Sequence, residues 1–190
     1  HADADAWATH CTQACAALDV PLDVVRVEVD RDNGLGLEGA AREARHRAFT
    51  DALAPDEVLA LAHHRDDQAE TFLLRALRGS GVDGLAAMRA WRVFADGWLW
   101  RPLLDTARAE LQAYAHVRQL SWIEDPSNTG TAQDRNFLRN EVLPLLQEYF
   151  FFFFYRITWV LNDHRKAKED QFVQSSGVDV AARLGPDDYV

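Results

Sequence analysis

Two imidazoles, three carboxylates and a guanidinium crowd into nine residues, His63-His64-Arg65-Asp66-Asp67-Gln68-Ala69-Glu70-Thr71. They follow an apolar, strand-like run, Glu57 to Ala62, and precede a helix-like run, Phe72 to Leu77. In open α/β sheets ligands bind outside the carboxyl ends of the strands, where helix N-termini point at them. Position and chemistry therefore agree on a site. Part of the cluster also has a plainer reading. Asp67-x-x-Glu70 has capping-box spacing, and acidic side chains favour a helix N-terminus. Capping accounts for Asp67 and Glu70, but not for His63 and His64 closing a strand or for Asp66 beside Asp67. Neighbouring carboxylates repel one another unless a cation joins them. Mg²⁺, held by one or two carboxylates plus substrate phosphates, would serve. A His/Asp metal site of the phosphohydrolase type competes with this reading. It needs further His ligands, and His1, His10, His46, His116 and His164 show no ligand spacing.

Two more segments carry chemistry. Arg78-Gly79-Ser80-Gly81-Val82-Asp83-Gly84-Leu85 is a helix stop with a flexible loop, or a Gly-rich stretch whose backbone N–H groups, with Arg78, approach a phosphate. In Asp134-Arg135-Asn136-Phe137-Leu138-Arg139-Asn140, Arg135 and Arg139 are four apart and share a helix face, with Asn136 beside them. That face is either simply solvated or grips phosphate or a developing negative charge.

The elements that must position these groups follow from periodicity. Residues 3–18 read as a helix, with Trp7, Cys11, Ala14 and Leu18 three or four apart. Val24 to Val29 alternates like a half-buried strand, residues 38–53 are helical, and 57–62 form a strand. A helix over 67–78 stops at Gly79-Ser80-Gly81. Residues 91–101 are extended, and Asp105 or Thr106 caps a helix to about Gln119. Leu120 to Ile123 is a short strand, Asp125-Pro126-Ser127-Asn128 is a turn, and Asp134 caps a last helix ending near Leu146. Strands alternating with helices imply βαβ units and a largely parallel sheet. The strands are few for a complete doubly wound sheet, and the chain begins in what reads as a loop, so an N-terminal piece is expected to be absent.

A net charge of −10 over 190 residues argues against a general nucleic-acid coat but leaves room for a local basic site. No Lys occurs from residue 1 to 150, so every fixed side-chain cation there is Arg. Arg gives bidentate contacts to phosphate and stacks on bases, though Arg-biased codon usage would produce the same pattern. Cys11 and Cys15, four apart on a helix, suit neither a disulfide nor zinc and read as reduced thiols of a cytoplasmic protein. Nothing resembles a signal peptide, and no apolar run reaches the roughly 18–20 residues that span a bilayer. Residues 149–155 are seven consecutive aromatics, and the tail they open yields no function.

Together these pieces resemble the bacterial tRNA(Ile)-lysidine synthases, N-type ATP pyrophosphatases of the PP-loop family. The signature covers Ala60-Leu61-Ala62-His63-His64-Arg65-Asp66-Asp67-Gln68-Ala69-Glu70-Thr71, then Arg78-Gly79-Ser80-Gly81, then Gly84-Leu85-x-x-Met88. Upstream, Ala41-Arg42-x-x-Arg45-His46 is similar to the family's Ala-Arg-x-x-Arg-Tyr, with His46 in place of Tyr. Arg101-Pro102-Leu103-Leu104, Trp122-Ile123-Glu124-Asp125-Pro126-Ser127-Asn128 and Asp134-Arg135-Asn136-x-x-Arg139 through Leu143-Pro144-Leu145-Leu146 follow in order. The resemblance implies an α/β fold with a Rossmann-like parallel sheet flanked by helices over residues 1–147. Residues 148–190 form a tail unlike the family.

The resemblance further implies a reaction: AMP passes from ATP to the wobble cytidine of an isoleucine tRNA with a CAU anticodon, and free L-lysine displaces it to give lysidine. Negative charge gathers at the α-phosphate during that transfer, so Mg²⁺ and Arg are needed. By the same resemblance His63, Asp67, Glu70 and Arg135 are catalytic. Arg42, Arg45, His63 and Asp66 hold ATP. Arg78, Gly79, Gly81, Asn136 and Arg139 meet tRNA, and Asp67 pairs with Mg²⁺ or with the lysine ammonium. The family's Ser-Gly-Gly-x-Asp-Ser phosphate loop does not occur in this sequence, so the chain alone is expected to be inactive and to bind ATP poorly. Two alternatives stay open. One is a tRNA thiolase of the same fold, although the Cys-x-x-Cys pairs usual there are missing. The other is a fragment that only binds nucleotide or tRNA.

Overall fold

The computed structural model describes residues 3–30, 32, 34, 36–130 and 134–146; the expectations for the tail 148–190 lie outside the described residues. The described chain falls into two compact units. One comprises the residues up to Ala60, Arg92–Trp100 and Leu111–Pro126; the other comprises Leu61–Trp91, Arg101–Glu110 and the residues from Ser127 onward.

In the first unit, α1 (Ala4–Ala17) and α2 (Gly36–Ala52) form where Ala-rich periodic stretches favour helix. Three short strands, β1 (Val58–Ala60), β2 (Trp91–Phe94) and β3 (Gly97–Trp100), join in the order β1-β3-β2, with Trp91 itself grouped in the second unit. β1 and β3 are parallel, and Val58, Leu59 and Ala60 lie opposite Trp98, Leu99 and Trp100. β2 and β3 are joined only by Ala95-Asp96, a link that fits antiparallel neighbours alone. The α/β class holds, and within it the described sheet is mixed, because residues 91–100 fold back on themselves. Gly97 sits where the sheet leaves no room for a side chain. A Cβ there would lie 2.4 Å from the Glu57 carbonyl oxygen and 3.0 Å from the Leu53 side chain. Leu99, 1% exposed, and Phe94 centre the core, with Ala40 and Ala44 buried on α2. His46 meets Phe94 edge-on at 5.7 Å between centroids, so an aromatic ring at this position packs against the sheet.

Two expected strands are not formed. Residues 24–29 and 120–123 carry no strand structure, and Val24, Val25, Val27, Leu120, Trp122 and Ile123 are exposed. Alternation alone does not make a strand; a hydrogen-bonding neighbour is required, and among the described residues neither segment pairs with one.

The second unit contains α3 (Arg65–Leu77), the short α4 (Val82–Leu85), the start of α5 (Arg108–Val117), a 3₁₀ turn (Pro126–Thr129, with Pro126 itself grouped in the first unit) and α6 (Asp134–Phe137). α6 runs into a π-helical stretch, Leu138–Val142, where the Leu143 N–H reaches the Leu138 carbonyl, before α-helical geometry returns to Leu146. The last helix expected from sequence is present but widened in its middle, a feature often found at functional sites. Ala69 and Leu143 form this unit's buried cluster, with Phe72, Leu73 and Leu146 packed on it. Among the described residues no helix is long and apolar enough to cross a membrane.

Candidate functional site

α3 begins two residues before the position that the charge pattern suggests. The Arg65 N–H is satisfied by the Thr106 carbonyl at 2.9 Å, so the chain turns helical there. His64 becomes the N-cap. Its Nδ1 accepts from the Asp67 N–H at 3.4 Å, and its own N–H donates to Asp67 Oδ2 at 2.9 Å. The capping box is therefore His64 with Asp67, which corrects the expected Asp67 with Glu70. His64 Nδ1 also lies 3.4 Å from Asp67 Oδ2 and 3.7 Å from Asp66 Oδ2. A neutral ring serves the cap and a protonated one the carboxylates, never both through that nitrogen. Asp66 is engaged elsewhere: its Oδ2 accepts from the Arg108 N–H at 2.8 Å, which caps the first residue of α5.

Glu70 is 0% exposed. Arg139 grips it with two bonds, Nε to Oε1 at 2.6 Å and Nη2 to Oε2 at 3.0 Å. Arg135 Nε lies 3.4 Å from Oε2, within ion-pair range but out of hydrogen-bond alignment, so this buried nitrogen has no hydrogen-bond partner among the described residues. Arg135 Nη2 donates to Thr71 Oγ1 at 3.3 Å. Arg139 Nη2 also lies 3.6 Å from Asp67 Oδ1, and its Nη1 donates to Asn128 Oδ1 at 3.4 Å. Burial alone would lower the Arg139 pKa; its hydrogen bond to Glu70 and the charges of Glu70, Asp67 and Asp66 outweigh that and hold it above its ordinary value.

The crowded carboxylates thus find cations within the chain. Among the described residues no group of three or more His, Cys, Asp or Glu is placed to hold a metal ion, which leaves the phosphohydrolase arrangement without its ligand set there. Asp67 still suits one position on an ion completed by phosphates. Its Oδ2 is taken by the His64 N–H, while its Oδ1 has, among the described residues, only the long Arg139 contact.

His63 is half-buried, and its Nδ1 accepts from Arg101 Nε at 3.3 Å. Arg101, 8% exposed, donates through Nη1 to the Arg89 carbonyl at 2.7 Å. The adjoining loop is fastened to α3. Gln68 exchanges two bonds with the Met88 backbone, at 3.0 and 2.8 Å, and Arg75 Nη1 donates to the carbonyls of Gly84 and Ala87, both at 2.8 Å. Sequence reasoning assigned no role to Gln68, Arg75 or Arg101. The only trace of Arg101 was its place in Arg-Pro-Leu-Leu.

Asp67, Glu70, Arg135 and Arg139 therefore form one connected network within the second unit. Arg78, Gly79 and Gly81 are exposed at the other end of α3, about 18 Å along its axis. Gly79 takes φ +69° and ends the helix, as expected. Asn136 is buried on α6, 6% exposed. Arg42 and Arg45 are exposed on α2 in the first unit.

Comparison with known proteins bears on this site. A tRNA(Ile)-lysidine synthase of Xanthomonas axonopodis pv. citri (strain 306) is 70% identical over 148 residues, covering 78% of this chain and 34% of the relative. One of Xylella fastidiosa (strain Temecula1 / ATCC 700964) is 57% identical over 146 residues, 77% of this chain and 33% of the relative. One of Pseudomonas fluorescens (strain Pf0-1) is 53% identical over 145 residues, 76% and 32% respectively. The chain spans about a third of the length of these relatives. The sequence profile of the PP-loop domain matches residues 1–146, a stretch that contains the whole carboxylate–arginine network, and by that match the chain belongs to the PP-loop domain family.

Proposed function

We propose that this chain supplies the ATP-using core, residues 1–147, of a cytoplasmic enzyme that converts the wobble cytidine of an isoleucine tRNA to lysidine. The α-phosphorus of ATP is attacked by the base's carbonyl oxygen and pyrophosphate leaves. The amino group of free lysine then attacks the activated carbon, and AMP leaves. The observation that supports this reading is the network itself. An enclosed carboxylate, Glu70, presets two arginines, and one of them, Arg135, keeps a third of its side chain accessible. Preset cations stabilise charge developing on a transferring phosphoryl group without reorganising at the moment of reaction. In this reading Glu70 holds the arginines, Arg135 meets the transferring phosphate, and Arg139 sets the position of both.

His63 lines the nucleotide site. Asp67 offers an oxygen to Mg²⁺ or to the incoming lysine ammonium; the ion, when bound, offsets phosphate charge. Arg42 and Arg45 contact ATP, with Asp66 supporting. The exposed Arg78, Gly79 and Gly81 contact the tRNA backbone. The similarity to named lysidine synthases supports the same reading.

The test uses the complete protein that carries this chain. With ATP, labelled lysine and a transcript bearing a CAU anticodon, label should enter the RNA in step with AMP release. Replacing the wobble cytidine by uridine should abolish both. Lysine incorporation without ATP, or ATP turnover indifferent to that cytidine, would refute the proposal.

A further inference from the structure

We propose that Arg101 is a positioning residue that holds His63 in one neutral tautomer, with the ring proton on Nε2, so that His63 meets its ligand as a hydrogen-bond donor and not as a base. A guanidinium keeps its proton throughout the accessible pH range and has only donors to offer. Its Nε–H lies 3.3 Å from His63 Nδ1. That nitrogen must present a lone pair, since a proton on it would set two N–H groups head to head. The proton of the neutral ring then resides on Nε2.

Arg101 is braced so that it cannot follow the ring. It is enclosed, its backbone N–H donates to the Ala90 carbonyl at 2.8 Å, and its Nη1 is fixed on the Arg89 carbonyl. The loop supplying those carbonyls is itself pinned to α3 through Gln68 and Met88. In a close-packed interior a side chain so held keeps one rotamer. The ring's only acceptor nitrogen is thereby occupied. In that tautomer Nε2–H can act only as a donor, matched in chemistry to a phosphate oxygen or a pyrimidine carbonyl, and the ring cannot abstract a proton through Nδ1. This use of His63 rests on the proposed nucleotide site; its tautomer does not, so the two can fail separately.

The decisive measurement is a long-range ¹H–¹⁵N correlation on the imidazoles of the ¹⁵N-labelled chain, with His63→Gln identifying the His63 signals among the seven histidines. We expect a pyrrole-like Nε2 and a pyridine-like Nδ1 with no averaging. Arg101→Lys, which keeps the charge but lacks the planar Nε–H, should average the two nitrogens of His63 alone. An Nδ1–H tautomer in the unmodified chain overturns the proposal, as does an unchanged His63 spectrum in a folded Arg101→Lys variant. If that variant does not fold, the unmodified spectrum still decides.

In the complete protein, the Gln amide N–H can stand in for Nε2–H. His63→Gln should stay within about tenfold of normal AMP formation, with His63→Asn clearly lower. Loss of a general base would cost roughly 10²–10⁴-fold in both, and that result overturns the donor role. An Nε2–H tautomer with AMP formation indifferent to both changes would support the positioning by Arg101 and refute the site assignment of His63.

Discussion

Replacing Glu70 by glutamine preserves the side chain's shape and removes the charge that two guanidiniums share. Breaking a buried ion pair by deleting one partner costs about 3–5 kcal/mol, because the remaining charge is left enclosed and uncompensated. Glu70 is fully enclosed, but Arg139 and Arg135 keep 21% and 34% of their side-chain surface, so water recovers part of that loss. The Gln carbonyl oxygen can also retain one of the two Arg139 bonds. We therefore expect Glu70→Gln to cost about 2–3 kcal/mol, or roughly 4–12 °C in Tm for a chain of this size. Urea unfolding followed by Trp fluorescence would measure it, with an unchanged m-value confirming that the transition itself is the same. Arg139→Gln in the same background should cost much less than it does alone, since the partners couple directly. The Arg139 pKa is raised, so the stability its charge contributes is fully present below the ordinary value and is lost only as pH climbs through the higher folded one. Arg139 should therefore introduce no change in the Glu70→Gln cost between pH 7 and pH 10. A cost under about 0.5 kcal/mol, or strict additivity with Arg139→Gln, would refute the reasoning.

Other substitutions probe other parts of the molecule. In the complete protein, Arg135→Ala should slow single-turnover AMP formation by roughly 10²–10³-fold, about 3–4 kcal/mol, and Arg135→Lys should recover only part of it. Near-normal turnover at a raised tRNA requirement would make Arg135 a docking residue instead. Gly97→Ala forces a Cβ toward the Glu57 carbonyl, 2.4 Å away, and should destabilise the sheet by about 1–3 kcal/mol in chemical unfolding; an unshifted midpoint would contradict that crowding. His64→Ala should lose about 1 kcal/mol as the cap is removed, whereas His64→Asn, whose oxygen can take the Asp67 N–H, should lose little. Equal losses in the two variants would show that Nδ1 does not cap α3.

The charged first turn of α3 was legible because its signal is local. Ionisable residues at a strand-to-helix junction announce themselves by type, and Gly79 announces the helix stop by its freedom at positive φ. The partner of Arg135 and Arg139 was not legible. Their spacing of four placed them on one face, but the carboxylate they share lies 69 residues before Arg139, and periodicity carries no information about such a contact. Arg101 was hidden for the same reason, since its acceptor His63 is 38 positions away. The hairpin escaped notice because its link is Ala95-Asp96, with Ala95 at φ +48° where Gly or Asn would have signalled a turn. The segments around Val24 and Trp122 failed in the opposite sense: their patterns fit a strand, and the neighbour that would complete one is not among the described residues.

Nearly every polar residue along α3 reaches a different stretch of chain. Asp66 goes to Arg108, Gln68 to Met88, Glu70 to Arg135 and Arg139, and Arg75 to Gly84 and Ala87. The apolar cluster beside them is small. This leaves little mutational latitude. A substitution chosen to retune the chemistry of the charged turn also releases a remote segment, so altered specificity and lost stability arrive together. Changes to the proposed chemistry are therefore more easily accommodated on the accessible face of Arg135, or on exposed α2, than along α3.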